Sequence, residues 1–330
     1  MIRLHPHHAF QRFPLAPPGL LNRRTSTLDA FVLCHLGVVH IDASEWSLEI
    51  DGLVERPRSF RFEELLRFPK LEVASVHQCC GSPFAPFEPT RRVTNMRWAG
   101  ARLADVLAEC RPAASARYVW CQGADFGEFS GVSVDAYCKD FPAARLSDDV
   151  LIAYEMNGEP LLPEHGFPAR VVVPGFYGTN SVKWVTRITL SEHRAPGAFT
   201  TRWYNDPVLD ASGEETGKTN PVWAIAPESV IVAPGPQEPL KHSAEIVIWG
   251  WAWADGGVNE VKVMTSDDPR WRAAELEPAH GRQWQRFSLS WTPEHRGPLL
   301  LSSRAGTHGG EHQPLAGRRN AIHSVPVMVV

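Results

Sequence analysis

No stretch of the 330 residues is apolar for long enough to form a signal core or a membrane span. The N-terminal MIRLHPHHAFQRFPLAPPGLL is broken repeatedly by His, Pro and Arg. A twin-arginine leader is not visible either, because Arg23–Arg24 runs into Thr25-Ser-Thr-Leu-Asp29 and not into an apolar segment. The expectation is a cytoplasmic protein as the sequence stands, or a periplasmic one if a leader is missing, and no membrane contact. Charge of one sign is also lacking. With 33 Lys and Arg against 37 Asp and Glu, the formal charge of -4 gives no basic field of the kind that concentrates nucleic acid. The six cysteines (34, 79, 80, 110, 121 and 138) have no framework spacing, which speaks against a disulfide scaffold and for buried free thiols. There is no C-x-x-C-H string and so no site for a covalent c-type haem. Internal repeats and low-complexity tracts are absent.

What is present reads as two domains of ordinary globular composition, each long enough to bury a core. Twelve tryptophans are expected to serve mainly as core. Short apolar alternations at Trp46–Ile50, Val73–His77, Tyr118–Gln122 and Ser181–Leu190 predict strands, and the spacing in Phe62–Phe68 and Leu103–Cys110 predicts helices. Interleaved strands and short helices suggest an α+β domain. Around Asp206–Pro221 the polar, turn-forming run DPVLDASGEETGKTNP looks like a linker. Beyond it, strand signals recur at Ser229–Val232, Ala244–Ala254, Glu260–Thr265, Gln285–Trp291, Leu299–Ser303 and Ser324–Val330, the pattern of a β-sandwich. The division is placed at residues 1–215 and 220–330.

Three constellations compete for the chemistry. His308-Gly-Gly-Glu311-His312 matches an inverted zinc-protease string, but that motif needs one helix face, and two glycines in a strand-rich domain point to a turn. His5, His7 and His8, with Pro6 among them, read as a frayed terminus. The third is Val76-His-Gln-Cys79-Cys80-Gly81-Ser82, where a strand running into Cys and Gly would present a soft thiolate at a sheet edge, a ligand suited to a metal such as molybdenum.

The blocks that accompany it carry a specific likeness. They are Asn95–Leu107 (NMRWAGARLADVL), Asp149–Gly158 (DVLIAYEMNG), Glu164–Gly175 (EHGFPARVVVPG) and Asn180–Trp184 (NSVKW). In this order they resemble the sulfite oxidase family of molybdopterin-dependent oxidoreductases, of the bacterial type without a haem domain. Val222–Ile231 and Gly250-Trp-Ala-Trp253 look like that family's second, immunoglobulin-like β-sandwich dimerisation domain. The resemblance runs from about Leu28 to about His323. It implies a Mo-molybdopterin cofactor with Cys79 as the metal thiolate. It also implies cofactor contacts at His35, Asp125, His165, Arg170, Ser181, Val182 and Lys183, and an active-site tyrosine at Tyr204. Arg170 and Lys183 suit an anionic phosphate, and His165 and Asp125 the polar edges of a ring. The reaction implied is two-electron oxo transfer on a small sulfur compound in a homodimer, with electrons leaving to an external acceptor such as a c-type cytochrome.

The likeness fails at three places. Leu33 stands where the family has an oxyanion-binding arginine, Pro83-Phe84 replaces an arginine pair, and a C-terminal arginine falls near Leu315, with Arg318 and Arg319 as alternatives. Losing two charge-assisted donors at roughly 1.5–3 kcal/mol each predicts poor turnover of sulfite unless Arg91, Arg92 or Arg318 supplies the charge. A relative acting on a neutral or organic sulfur substrate, or a scaffold without turnover, is the alternative reading. The sequence leaves substrate, acceptor and direction open.

Overall fold

The computed structural model describes residues 9–13, 21–81, 86–90, 92–146, 149–210 and 212–330. Two compact units emerge, and both are discontinuous in sequence. The first comprises Met1–Arg12, Val32–Val73 and Arg97–Trp223; the second comprises Phe13–Phe31, Ala74–Met96 and Ala224–Val330. The long strands Lys70–Gln78 and Val93–Arg102 pass from one unit into the other.

In the first unit the alternating runs pair as their periodicity requires. Val185–Ser191 lies between Tyr118–Gly123, to which it is antiparallel, and Ser47–Gly52, to which it is parallel. Cys138–Pro142 and Arg58–Arg61 complete that five-stranded sheet. Leu151–Met156 pairs with Val93–Arg102 on one side and with Glu159–Pro160 and Arg170–Val172 on the other. Leu48, Ile50, Val119, Cys121, Ile152, Val171, Val185 and Ile188 meet in one buried core. At about 1.5–3 kcal/mol for each large side chain removed from water, such a core is the main force holding the sheets. Among the described residues, α-helix is confined to Phe62–Leu65, Leu103–Ala108 and Ala198–Thr201, so the α component of the α+β unit is slight. All six cysteines are free thiols.

The second unit contains two antiparallel-rich sheets that share one core, the expected sandwich. Glu228–Ala233, Ile246–Trp253, Gln285–Trp291 and Glu275–Leu276 form one; Pro239–Leu240, Ser324–Val329, Gly297–Gly306, Glu260–Thr265 and Asp268–Ala273 form the other. Ile231, Ile248 and Phe287 from the first pack with Val261, Val263, Leu301 and Val327 from the second. Gly250 is a close-approach glycine, since a Cβ there would lie 1.9 Å from the Val230 carbonyl oxygen and 2.8 Å from the Phe287 ring. Trp253 and Trp284, both fully buried, belong to this unit, as Trp46, Trp98 and Trp184 belong to the first.

Two local expectations are corrected. The run expected to be a linker is a β-hairpin, Asn205–Leu209 against Glu215–Pro221. Its turn residues mark the hairpin tip: Asp210 Oδ1 accepts the backbone N–H groups of Ser212 at 2.8 Å and Glu214 at 3.0 Å, and Gly213 takes φ +87°. The strand expected at Ser181–Leu190 begins only at Val185, because Gly178–Asn180 is a turn of 3-10 helix and Trp184 sits at φ +50°. His308 to Glu311 form a turn, and His312 Nε2 lies 3.0 Å from Glu260 Oε1. His5, His7, His8, Pro83, Phe84 and Arg91 lie outside the described residues.

Candidate functional site

In the first unit, loops at strand ends gather most of the predicted cofactor residues. Arg170 opens the strand Arg170–Val172, and its guanidinium donates to the carbonyls of His165 at 3.2 Å and Ser181 at 2.7 Å while lying 5.0 Å from the Trp98 ring centroid. Lys183 Nζ donates to the carbonyls of Leu33 and Glu164, each at 3.1 Å, and to Cys34 Sγ at 2.7 Å. Neither side chain projects freely into solvent. Burial pulls the Arg170 guanidinium down to about 10 and lowers Lys183, which also sits in the repulsive field of Arg170. Gly166, at φ +105°, makes this crowding possible: a Cβ there would come within 3.1 Å of the Cβ atoms of both Arg170 and Lys183. Ser181 is tied in by its Oγ, which accepts the Val173 N–H at 3.1 Å, and Val182 is buried with its carbonyl accepting the Val171 N–H.

Among the described residues, these two cations direct their hydrogen bonds to carbonyls and a thiol, with no carboxylate among the acceptors. Burying like charges together is costly unless an anion neutralises them. Asp125 is the nearby acid. Desolvation pushes its carboxyl up to about 7 against the pull of Lys183, and its buried Oδ1 has no hydrogen-bond partner among the described residues. A phosphate-bearing ligand with polar ring edges fits this donor set: cations for the phosphate, an orphaned carboxyl oxygen for a ring N–H.

Tyr204 and His35 are brought together, with Tyr204 Oη 2.6 Å from His35 Nε2. Tyr204 takes φ +56° at the start of the hairpin, and Lys139 Nζ lies 5.4 Å from its ring centroid. Phe129 and Phe199 enclose the His35 ring at centroid distances of 4.4 and 6.2 Å. Leu33, expected to face an oxyanion, contributes its backbone carbonyl to Lys183.

Cys79 belongs to the second unit. It follows the last residue of a strand, half-buried, with its N–H donating to the Arg92 carbonyl at 2.8 Å. Its Sγ accepts the Gly81 N–H at 3.4 Å. A hydrogen bond from Cys80, the Gly81 amide and the charges of Arg92 and Arg319 outweigh burial and hold the thiol down to about 7. Arg92 also donates to the Gly81 carbonyl at 3.0 Å, closing the loop. Arg92 and Arg319 act electrostatically on the Cys79 thiol, while Leu315 is exposed. Sequence reasoning missed the partners of Gln78, and it did not link Cys34 to Lys183 or Lys139 to Tyr204. Each is a contact between residues far apart in sequence, and only the position of Gln78 beside Cys79 gave a hint.

Comparison with known proteins agrees with this chemistry. The model of the oxidoreductase molybdopterin binding domain matches residues 35–199, and that of the Mo-co oxidoreductase dimerisation domain matches 219–295. The mitochondrial sulfite oxidase of Rattus norvegicus is 32% identical over the whole of this chain and 66% of its own length. That of Homo sapiens is 32% identical over 90% of this chain and 59% of its own length. The nitrate reductase [NAD(P)H] of Hordeum vulgare is 30% identical over 88% of this chain and 36% of its own length. The crystal structure of the sulfane dehydrogenase SoxCD from Paracoccus pantotrophus superposes with a TM-score of 0.79 at 29% identity, covering 95% of this chain and 87% of that one. The chain spans about two thirds or less of the length of these curated relatives. With its dimerisation domain and a donor set that suits a phosphate-bearing pterin, the chain belongs to the sulfite oxidase family of molybdopterin-dependent oxidoreductases, and its cofactor is Mo-molybdopterin.

Proposed function

We propose that this protein is a molybdenum oxidoreductase carrying out two-electron oxo transfer on a small sulfur compound, with electrons passed to an external acceptor of the c-type cytochrome class. The observation that carries the reading is Cys79: a half-buried thiol at a strand end, acidified by hydrogen bonds and by two arginines, is built to serve as a metal thiolate. When bound, the molybdenum–dithiolene centre supplies the oxo-transfer chemistry. The chain supplies the rest. Lys183 and Arg170 hold the anionic end of the cofactor, Asp125 and His165 its polar edges, and Ser181, Val182 and His35 shape its seat. Tyr204, hydrogen-bonded to His35, orients the substrate and moves a proton between its hydroxyl and the imidazole. Arg92 and Arg319 place positive charge by Cys79, which favours an oxidised, anionic sulfur substrate over a neutral one.

The reading predicts that Cys79→Ser alters the visible thiolate-to-molybdenum absorption of the purified protein, whereas Cys80→Ser changes it little. A larger change from Cys80→Ser would move the ligand by one residue. Steady-state assays of sulfite and of sulfane-sulfur compounds with cytochrome c test the reaction, and turnover of neither would refute it. Because the second domain matches a dimerisation model, we also propose a homodimer. Light scattering should report about twice the 36.7 kDa chain mass, and a monomer at micromolar concentration would count against it.

A further inference from the structure

The residue before Cys79 is buried completely, and its side chain is the hub of a polar network inside the second unit. Gln78 Nε2 donates to Glu228 Oε2 and, at 3.3 Å, to Asn320 Oδ1; Gln78 Oε1 accepts the Trp253 indole N–H at 2.8 Å. Cys79 is the next residue along the chain, just past the end of the strand, so fixing Gln78 fixes the strand end that presents the thiol. Asn320, at φ +61°, donates onward to the Ala226 carbonyl at 3.0 Å, which pins the residue next to Arg319, one of the two cations acting on Cys79.

Glu228 is the unusual member. It is buried on the strand Glu228–Ala233, opposite Trp253, and no cation among the described residues pairs with it. A small cavity with room for about one water adjoins it. The titratable groups lining that cavity are Glu88 and His323, and burial lowers the His323 imidazole. A carboxylate is a costly occupant of such a place, while a carboxylic acid can accept from Gln78 with one oxygen and donate into the cavity with the other.

We propose that Glu228 is a positioning residue for the metal thiolate, holding through Gln78 the strand end that carries Cys79 and through Asn320 the segment that carries Arg319. The proposal rests on the reading of Cys79 as the molybdenum ligand. Burial, which pushes the Glu228 carboxyl up to about 8, keeps it in the neutral form that this role needs at neutral pH.

The test uses Glu228→Ala, Glu228→Gln and Ser229→Ala. The last removes a buried hydroxyl bonded to Ser303 and Gln313, and so perturbs the same strand without touching Gln78. In the cofactor-free chain, the alkylation rate of Cys79 by iodoacetamide is followed by peptide mass spectrometry; in the loaded protein, the thiolate-to-molybdenum absorption is recorded from pH 6 to pH 9. Glu228→Ala should change the alkylation rate by about fivefold or more, the scale of one lost buried hydrogen bond. It should also shift the absorption band. Glu228→Gln, which keeps an acceptor for Gln78 and cannot ionise, should restore both and flatten the drift of the band with pH. Ser229→Ala should leave both as in the wild type. Equal effects from Glu228→Ala and Ser229→Ala would overturn the proposal, as would failure of Glu228→Gln to rescue. Cys79→Ser in the same series separates the two ideas: an unchanged band there defeats the ligand assignment itself, whereas a changed band with a silent Glu228→Ala defeats only the positioning role.

Discussion

The cation pair of the first unit and the buried glutamate of the second respond to burial in opposite ways. In the first, Arg170 and Lys183 are packed close together against carbonyls and a thiol, and Arg170 stays protonated at neutral pH even after burial. In the second, Glu228 is buried among Gln78, Asn320 and Trp253, and it gives up its charge. The physical difference lies in the cost of discharge. A guanidinium starts so far above neutral pH that desolvation cannot neutralise it, whereas a carboxyl lifted past neutrality is already an acid at pH 7. A retained buried charge calls for a counter-ion, and a discharged one needs only hydrogen bonds. The first cluster is shaped to receive an anion, the second to hold a strand.

Removing one of the retained charges should do the most damage. Lys183→Met should lower the molybdenum content of the purified protein by about tenfold or more, since each charge-assisted bond to an anion contributes roughly 1.5–3 kcal/mol. Arg170→Met should do the same and also lose stability, because the carbonyls of His165 and Ser181 lose the guanidinium that donates to them. Full molybdenum content in both variants, measured on folded protein, would mean that the cations serve the fold alone.

The discharged group makes a smaller and pH-dependent prediction. Glu228 binds its proton more tightly folded than unfolded, with a pKa raised from 4.5 to about 8. Stability is therefore unaffected by this group below pH 4.5, falls as pH rises from 4.5 towards 8, and stays reduced above it. At about 1.4 kcal/mol for each pH unit separating the folded from the unfolded value, the loss amounts to several kcal/mol. Glu228→Gln removes that slope. The variant should match the wild type near pH 5 and exceed it at pH 8.5 in chemical denaturation. Parallel curves for the two proteins would show that Glu228 is already charged in the native state.

Much of this was legible in the sequence where neighbours in the chain are also neighbours in space. The alternation in Glu260–Thr265 and Gln285–Trp291 gave strands with the same ends that the structure shows, because each strand buries one face of a single sandwich core. The strand expected to run into Cys79 and Gly81 ends at Gln78, and the Gly81 N–H reaches the Cys79 sulfur two residues back, a contact that short spacing makes legible. The Gln78–Glu228 bond joins positions 150 residues apart, and Lys183 meets Cys34 across 149. No local pattern encodes such a meeting. Division of the chain by composition could not show that the described residues within 13–31 and 74–96 pack with the C-terminal sandwich, since membership of a core is not a property of a segment's own texture. The hairpin at Asn205–Pro221 was hidden for the opposite reason: its strands are largely exposed and polar, so only its turn was conspicuous.

That hairpin offers the gentlest test of what burial adds. Asp210 is a carboxyl held by hydrogen bonds in full solvent, and the Ser212 hydroxyl with the Glu214 and Ser212 amides lowers its pKa from 3.8, the opposite direction from Glu228. Its contribution is present above pH 3.8 and fades as the pH falls through the lowered value. Because the site is exposed, water replaces most of what a substitution removes, and the bonds organise the tip more than they stabilise the unit. Asp210→Ala should accordingly leave molybdenum content and the denaturation midpoint indistinguishable from the wild type between pH 6 and pH 9. It should, however, speed proteolytic nicking near Gly213, where the turn loses its acceptor. If Asp210→Ala instead lowered the midpoint as much as Glu228→Ala, burial would not be what separates the two carboxyls. The contrast between them would then have to come from hydrogen bonding alone.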